Sequence, residues 1–175
     1  IKKNNLFDKT NHLLIAVSGG VDSIVLVDLM SKAGYSFSIA HCNFQLREAE
    51  SERDERFVKN MAEKYAVKFF LKKFDTVRVA EEEKKSIQLT ARNLRYNWFD
   101  ELLQNDPFDA HSRILTAHHA DDSIETVLMN FFKGTGISGL HGILPLHGKI
   151  ARPLLFARKM DILQYAKENN LQNNH

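Results

Sequence analysis

Apolar residues in this chain fall into two alternating kinds of run. Compact ones at Leu13–Val17 (LLIAV), Ser36–His41 (SFSIAH), Val67–Phe74 and Arg113–Ala117 read as strands, the first as a strand of a parallel sheet buried on both faces. Longer segments with helical spacing lie between and after them. One opens at Asp22-Ser23 and carries Ile24, Val25, Val27, Leu29 and Met30, with Gly34 as its stop signal. Others cover Glu52–Tyr65 (Phe57, Val58, Met61 and Ala62 inward), Ser86–Gln104 (Ile87, Leu94, Trp98, Phe99, Leu102), Asp121–Phe132 and Lys159–Asn169. Strands alternating with helices predict an α/β fold with a doubly wound, mostly parallel sheet, Rossmann-like in plan. Its ligand crevice is expected at the carboxyl ends of the strands. The charged segment Asp75–Lys85, with EEEKK at its end, predicts a solvated loop or helix end. Residues 134–142 (GTGISGLHG) predict a glycine-rich loop, and Lys149–Leu154 a short extended piece.

The strand-to-helix junctions carry the chemistry. At Ser18-Gly19-Gly20-Val21-Asp22-Ser23 a buried strand gives way to a helix through small residues, which aims amide N–H groups and a positive dipole end at an anion. Gly19 and Gly20 let the main chain approach a phosphate, and the Ser18 and Ser23 hydroxyls can add donors. A purely steric turn is the alternative. No Lys lies between Ser18 and Met30, so a Walker A loop is excluded. His41 and the pair His118-His119 also follow strands directly and are expected to meet this turn.

The densest cluster of reactive side chains is Thr116–Thr126 (TAHHADDSIET). On a helix Asp122 and Glu125 share a face, with His118 near its N-terminal end. Two His and three acids could hold a divalent metal, although the spacing is not HExxH; an acidic first turn that complements the helix dipole explains Asp121 and Asp122 equally well. Arg92 and Arg95 stand three apart on the long helix, a spacing shared by phosphate-binding pairs and by ordinary solvated faces.

The 175 residues suit one domain, and the 43% hydrophobic and 26% charged content is that of a globular protein. A net charge of +2 does not by itself point to a polyanionic partner. No apolar run is long enough to span a membrane, and no signal-peptide core opens the chain. Cys42 stands alone, which rules out an intramolecular disulfide and fits a reducing cytoplasm. The start at Ile1 and the polar NNLQNNH end lead us to expect that residues 1–175 are one piece of a longer protein.

These residues resemble a known family. SGGVDS is similar to the PP-loop of the N-type ATP pyrophosphatases, and three further blocks resemble the tRNA(Ile)-lysidine synthetases within that group. TAHHADDSIET followed by FFKGTGISGLHG resembles their HHxxDxxET block, ARNLRYNWF their ARxxRYxxF segment, and HCNFQLR their HVxHxxR segment. Phe44 stands where that last segment usually has a second His, and Leu89 where a Glu usually precedes ARxxRY. Arg152-Pro153-Leu154-Leu155 and Arg158 match an RPLLxxxR stretch, read as packing.

The resemblance implies an adenine nucleotide alpha hydrolase-like PP-loop ATPase fold and a catalytic domain that precedes tRNA-binding domains. It implies ATP contacts at Ala16, Ser18, Gly19, Gly20, Val21, Asp22, Ser23, Arg92, Arg95 and His118, and a lysine site at Asp122 and Glu125. Asp22, Arg95, His118 and Asp122 would be catalytic, with Asp22 also a Mg²⁺ ligand. The implied partners are ATP, L-lysine and an isoleucine tRNA with a CAU anticodon; a homodimer is one arrangement left open. The wobble cytidine would be adenylated and then joined to lysine. Other readings are a tRNA thiolase, for which the single cysteine is a poor fit, an amide-forming PP-loop ligase, and a non-catalytic nucleotide-binding module.

Overall fold

The computed structural model describes residues 6–105, 107–132 and 142–172. The elements run β1 (Leu13–Ala16), α1 (Val21–Lys32), β2 (Phe37–Asn43), α2 (Glu48–Lys64), β3 (Phe69–Lys73), α3 (Thr76–Glu83) and α4 (Ile87–Leu102). Then follow β4 (Arg113–Leu115), α5 (Ala120–Phe132), β5 (Leu146–His147), β6 (Ile150–Ala151) and α6 (Lys159–Glu168). The strands form one sheet in the order β3-β2-β1-β4-β6-β5, parallel throughout except for the β5–β6 pair. Leu13 is in register with Phe37 on one side and Arg113 on the other. The chain therefore builds outward from β1 to β3, then returns to lay β4 on the opposite flank. That reversal at β1/β4 opens a crevice at the strand ends.

Alternation along β1 and β4 divides the core in two, because successive side chains point to opposite faces. Leu13, Ile15 and Leu115 join Ile24, Val25, Leu26 and Val27 of α1, Val58 of α2 and Ile162 of α6. Leu14 and Ile114 face the other way and join Trp98, Phe99 and Leu103 from α4 and its end, with Phe74. Both faces are covered, which is why the strands read as near-continuous apolar runs.

Three expectations change. Asp75–Lys85 is largely a helix: the Asp75 carboxylate caps α3 by accepting from Arg78 N, Arg78 pairs with Glu82 at 2.9 Å, and Thr76 and Ala80 are buried. Its charges form a solvated helix face instead of preventing the helix. α2 starts at Glu48, four residues earlier than the apolar spacing indicates, because its first turn is polar and exposed. The extended piece near Lys149 is half of a hairpin turning on Gly148, whose φ is +57°. The expected glycine-rich loop lies, except for Gly142, outside the described residues. Among the described residues no helix is long and apolar enough to cross a membrane.

Candidate functional site

Segments leaving the carboxyl ends of β1, β2 and β4 enclose a cleft of about 420 Å³. Ser18, Asp22 and Ser23 line it from the first turn, Arg47 and Arg95 from the β2 and α4 side, and His118 and Asp122 from the β4 side. The sheet carries these groups on adjacent strands, so blocks scattered along the sequence share one wall.

The first turn depends on one glycine for its shape. Gly19 has φ +97°, a conformation that side chains with a Cβ rarely adopt. Gly20 is extended at φ −78° and N-caps α1 without a capping side chain. Its role is to leave the helix N-terminus uncovered. Ser23 corrects the expectation of two outward hydroxyls: it is buried, and its hydroxyl donates back to the Gly20 carbonyl at 2.8 Å. Ser18 is exposed and its Oγ accepts from Gly20 N at 3.3 Å. Ala16 lines the cleft floor, whereas Val21 packs its side chain against the core.

At two of the strand-end histidines, His41 and His118, burial disfavours the charged form. His41 is buried and its Nδ1–H donates to the Val17 carbonyl at 2.7 Å; burial pushes its pKa below the usual value, against the pull of that carbonyl. His118 Nδ1 lies 2.9 Å from Thr116 Oγ1. Burial lowers its pKa, and the charges of Arg152, Arg92 and Arg95 add to the effect while Asp122 opposes it. Of these three arginines, Arg95 shares the cleft lining with His118.

Arg95 is held by aromatic packing. Its guanidinium lies 5.2 Å from the centroid of Phe44, and Phe44 stacks on Phe74 with centroids 5.6 Å apart. Arg92, one helical turn earlier, lies over Tyr96 and is not part of the cleft wall, although its charge reaches His118. Arg152 is buried and donates to the Leu144 carbonyl at 2.7 Å, a packing role, whereas Arg158 is exposed and stands at the N-cap of α6, where its backbone N–H donates to Asp161 Oδ2 at 2.9 Å. Cys42 also lines the cleft; burial pushes its thiol up to about 12 despite the nearby Arg95 and Lys72.

The acids on α5 divide their work. Asp122 Oδ2 accepts from His119 N at 2.8 Å, capping the helix while it lines the cleft. Asp121 Oδ2 accepts from Lys159 N at 2.6 Å and so ties α5 to the start of α6. Glu125 is exposed and outside the cleft wall. It shares the face of Asp122, but three residues along a helix add about 4.5 Å of rise, here away from the sheet end. Among the described residues no group of three His, Cys, Asp or Glu side chains is placed to hold a metal ion.

One site residue, Lys159, escaped the sequence reading, and His119 stands where that reading expects it. Lys159 Nζ lies 2.5 Å from Asp22 Oδ1. His119 is buried with Nε2 4.0 Å from the same oxygen and Nδ1 3.5 Å from Asp122 Oδ2. The position of His119 after β4 is what placed it at this turn from sequence; Lys159 has no local signal, being 137 residues from its partner.

The family model for the PP-loop domain matches residues 1–174. The chain is 46% identical over 168 residues to a tRNA(Ile)-lysidine synthase of Bacteroides thetaiotaomicron, covering 96% of this chain and 39% of that protein. It is 44% identical over 163 residues to the tRNA(Ile)-lysidine synthase of Chlorobaculum tepidum, covering 91% and 48%. The chain thus spans less than half the length of these curated relatives. Among solved structures, the U34-tRNA thiolase of Methanococcus maripaludis superposes with a TM-score of 0.75 at 17% identity, covering 97% of this chain and 60% of that one. The NH3-dependent NAD synthetase of Campylobacter jejuni gives 0.66 at 13%, covering 98% and 69%. At such identities these two show a shared fold.

Proposed function

The chain belongs to the PP-loop domain family, and from that premise we propose that it carries the ATP-dependent step that makes lysidine in an isoleucine tRNA with a CAU anticodon. The observation that carries this reading is the convergence of Asp22, Arg95, His118 and Asp122 on one cleft beside the Gly19-Gly20 turn. The 46% identity to a tRNA(Ile)-lysidine synthase supports the choice of substrate.

In this reading ATP lies with its β- and γ-phosphates at the uncapped N-terminus of α1. Arg95, fixed on Phe44, reaches the α-phosphate, where a guanidinium binds oxygen pairs and stays charged. The C2 oxygen of the wobble cytidine attacks the α-phosphorus and pyrophosphate leaves toward the turn. The lysine side-chain amine then attacks C2 and AMP departs. Asp122 holds that ammonium, and its carboxylate is the nearest base for the proton the amine must lose. Glu125 stands farther along the same face, open to solvent, where it would meet the rest of the lysine. Asp22 suits Mg²⁺, which takes one or two carboxylates plus substrate phosphates and would neutralise the triphosphate.

A thiolase reading finds less support, because the chain has one cysteine and burial holds its thiol protonated. The deciding experiment measures AMP and pyrophosphate release from labelled ATP with lysine and a transcribed CAU-anticodon tRNA. Release should require both lysine and the wobble cytidine. Release that persists when uridine replaces the cytidine overturns the proposal.

A further inference from the structure

The turn from Ser18 to Ser23 is unusual for a phosphate cradle in its charge: its one ionisable side chain is Asp22, which is negative. Helix-end amides supply only partial charge, about half an elementary unit. A pyrophosphate arriving there would meet a carboxylate unless a cation stood between them, whether Mg²⁺ on Asp22 or a side chain from elsewhere in the fold. The fold brings one, since Lys159 Nζ lies 2.5 Å from Asp22 Oδ1.

We propose that Lys159 is a pyrophosphate-binding residue, whose ammonium supplies the positive charge that the glycine turn lacks. The inference rests on reading the cleft as an ATP site. Three observations support it. The Lys159 backbone is anchored, with its N–H donating to Asp121 Oδ2 at 2.6 Å in the first turn of α6. Its side chain is 39% exposed, so Nζ is not locked in the interior beside Asp22. The cleft's two lining arginines, Arg47 and Arg95, enter from the β2 and α4 side, whereas Lys159 stands behind the cleft wall and reaches the turn through its contact with the lining carboxylate of Asp22. The position at the α1 N-terminus fits the departing β- and γ-phosphates better than the α-phosphate. A compact, strongly hydrated ammonium is also suited to a group that must bind and then release.

Titration calorimetry with inorganic pyrophosphate, in EDTA so that no divalent ion bridges to Asp22, tests the assignment on the full chain. The wild type should bind, Lys159→Met should bind at least tenfold more weakly, and Lys159→Arg should stay within about threefold of wild type. Asp22→Asn should bind at least as tightly as wild type, because the opposing carboxylate is gone. Adding Lys159→Met to Asp22→Asn should again cost at least tenfold. If the double variant matches Asp22→Asn, Lys159 only neutralises Asp22 and the proposal fails. Equal affinity of Lys159→Met and wild type overturns it as well. A wild type that does not bind pyrophosphate removes the cradle reading itself, and that result is visible before any variant is made.

Discussion

The guanidinium of Arg95 lies over the ring of Phe44, 5.2 Å from its centroid, so one of the two residues that depart from the family pattern holds one of the cleft's two lining arginines. A cation over an aromatic face is stabilised by about 0.5–2 kcal/mol, depending on desolvation. Phe44→Leu keeps apolar contact with Phe74 and removes the ring face. We expect ATP-dependent pyrophosphate release to fall by about three- to thirtyfold, with the melting temperature lowered by no more than a few degrees. Steady-state kinetics beside a thermal melt separates the two effects, and unchanged kinetics would remove Phe44 from the positioning of Arg95.

Asp122 serves the helix and the cleft at once, and two substitutions tell these roles apart. Asp122→Asn keeps an oxygen for the His119 N–H, which now donates at 2.8 Å, but loses the charge. Lysine-dependent turnover should drop at least a hundredfold while stability changes little. Asp122→Ala loses the cap too, which should cost a further ~1 kcal/mol in chemical denaturation. Full lysine-dependent turnover in Asp122→Asn would exclude a charge-based lysine site there.

Leu89 occupies the third position of α4, and its N–H donates to the Ser86 Oγ cap at 3.3 Å. A Glu there can reach back to the Ser86 N–H and complete a capping box. Leu89 is 46% exposed, so little packing is lost. Leu89→Glu should stabilise the fold by about 0.5–1 kcal/mol, read as a rise of a few degrees in the thermal midpoint.

Burial holds His41 and His118 below the ordinary histidine pKa of 6.5, with neighbouring arginines adding to the effect at His118. Below that pH the unfolded chain takes up protons that the folded chain refuses. Their contribution to stability is therefore whole above about pH 6.5 and declines as the pH falls beneath it. Melting temperatures between pH 7.5 and 5.5 should fall on acidification. The His118→Gln variant should show a shallower fall, and a slope identical to wild type would contradict the assignment.

With its thiol pushed up to about 12, Cys42 is almost wholly protonated at pH 8. Iodoacetamide should label the native protein far more slowly than the urea-unfolded chain, by a hundredfold or more. Cys42→Ala should leave pyrophosphate release within about twofold of wild type. Rapid native labelling, followed by mass spectrometry, would show the thiol to be reactive.

What the sequence by itself determined is the part encoded over short distances. The apolar run at Leu13–Val17, the left-handed Gly19 and the helical spacing after Asp22 specify strand, turn and helix, because each depends on residues within a few positions of one another. Placing His41 and the pair His118-His119 after strands was enough to expect them around that turn, since a parallel sheet gathers its strand ends. Tertiary structure alone decided the rest. Periodicity says which face Glu125 shares with Asp122 but not which way the helix axis leads, and here it leads out of the cleft. The Ser23 hydroxyl turns inward because the backbone of the folded turn offers it the Gly20 carbonyl. Lys159 meets Asp22 across 137 residues only because α6 returns to pack on α1. A pairing of that range leaves no local pattern; it exists once the topology has brought two helix ends together.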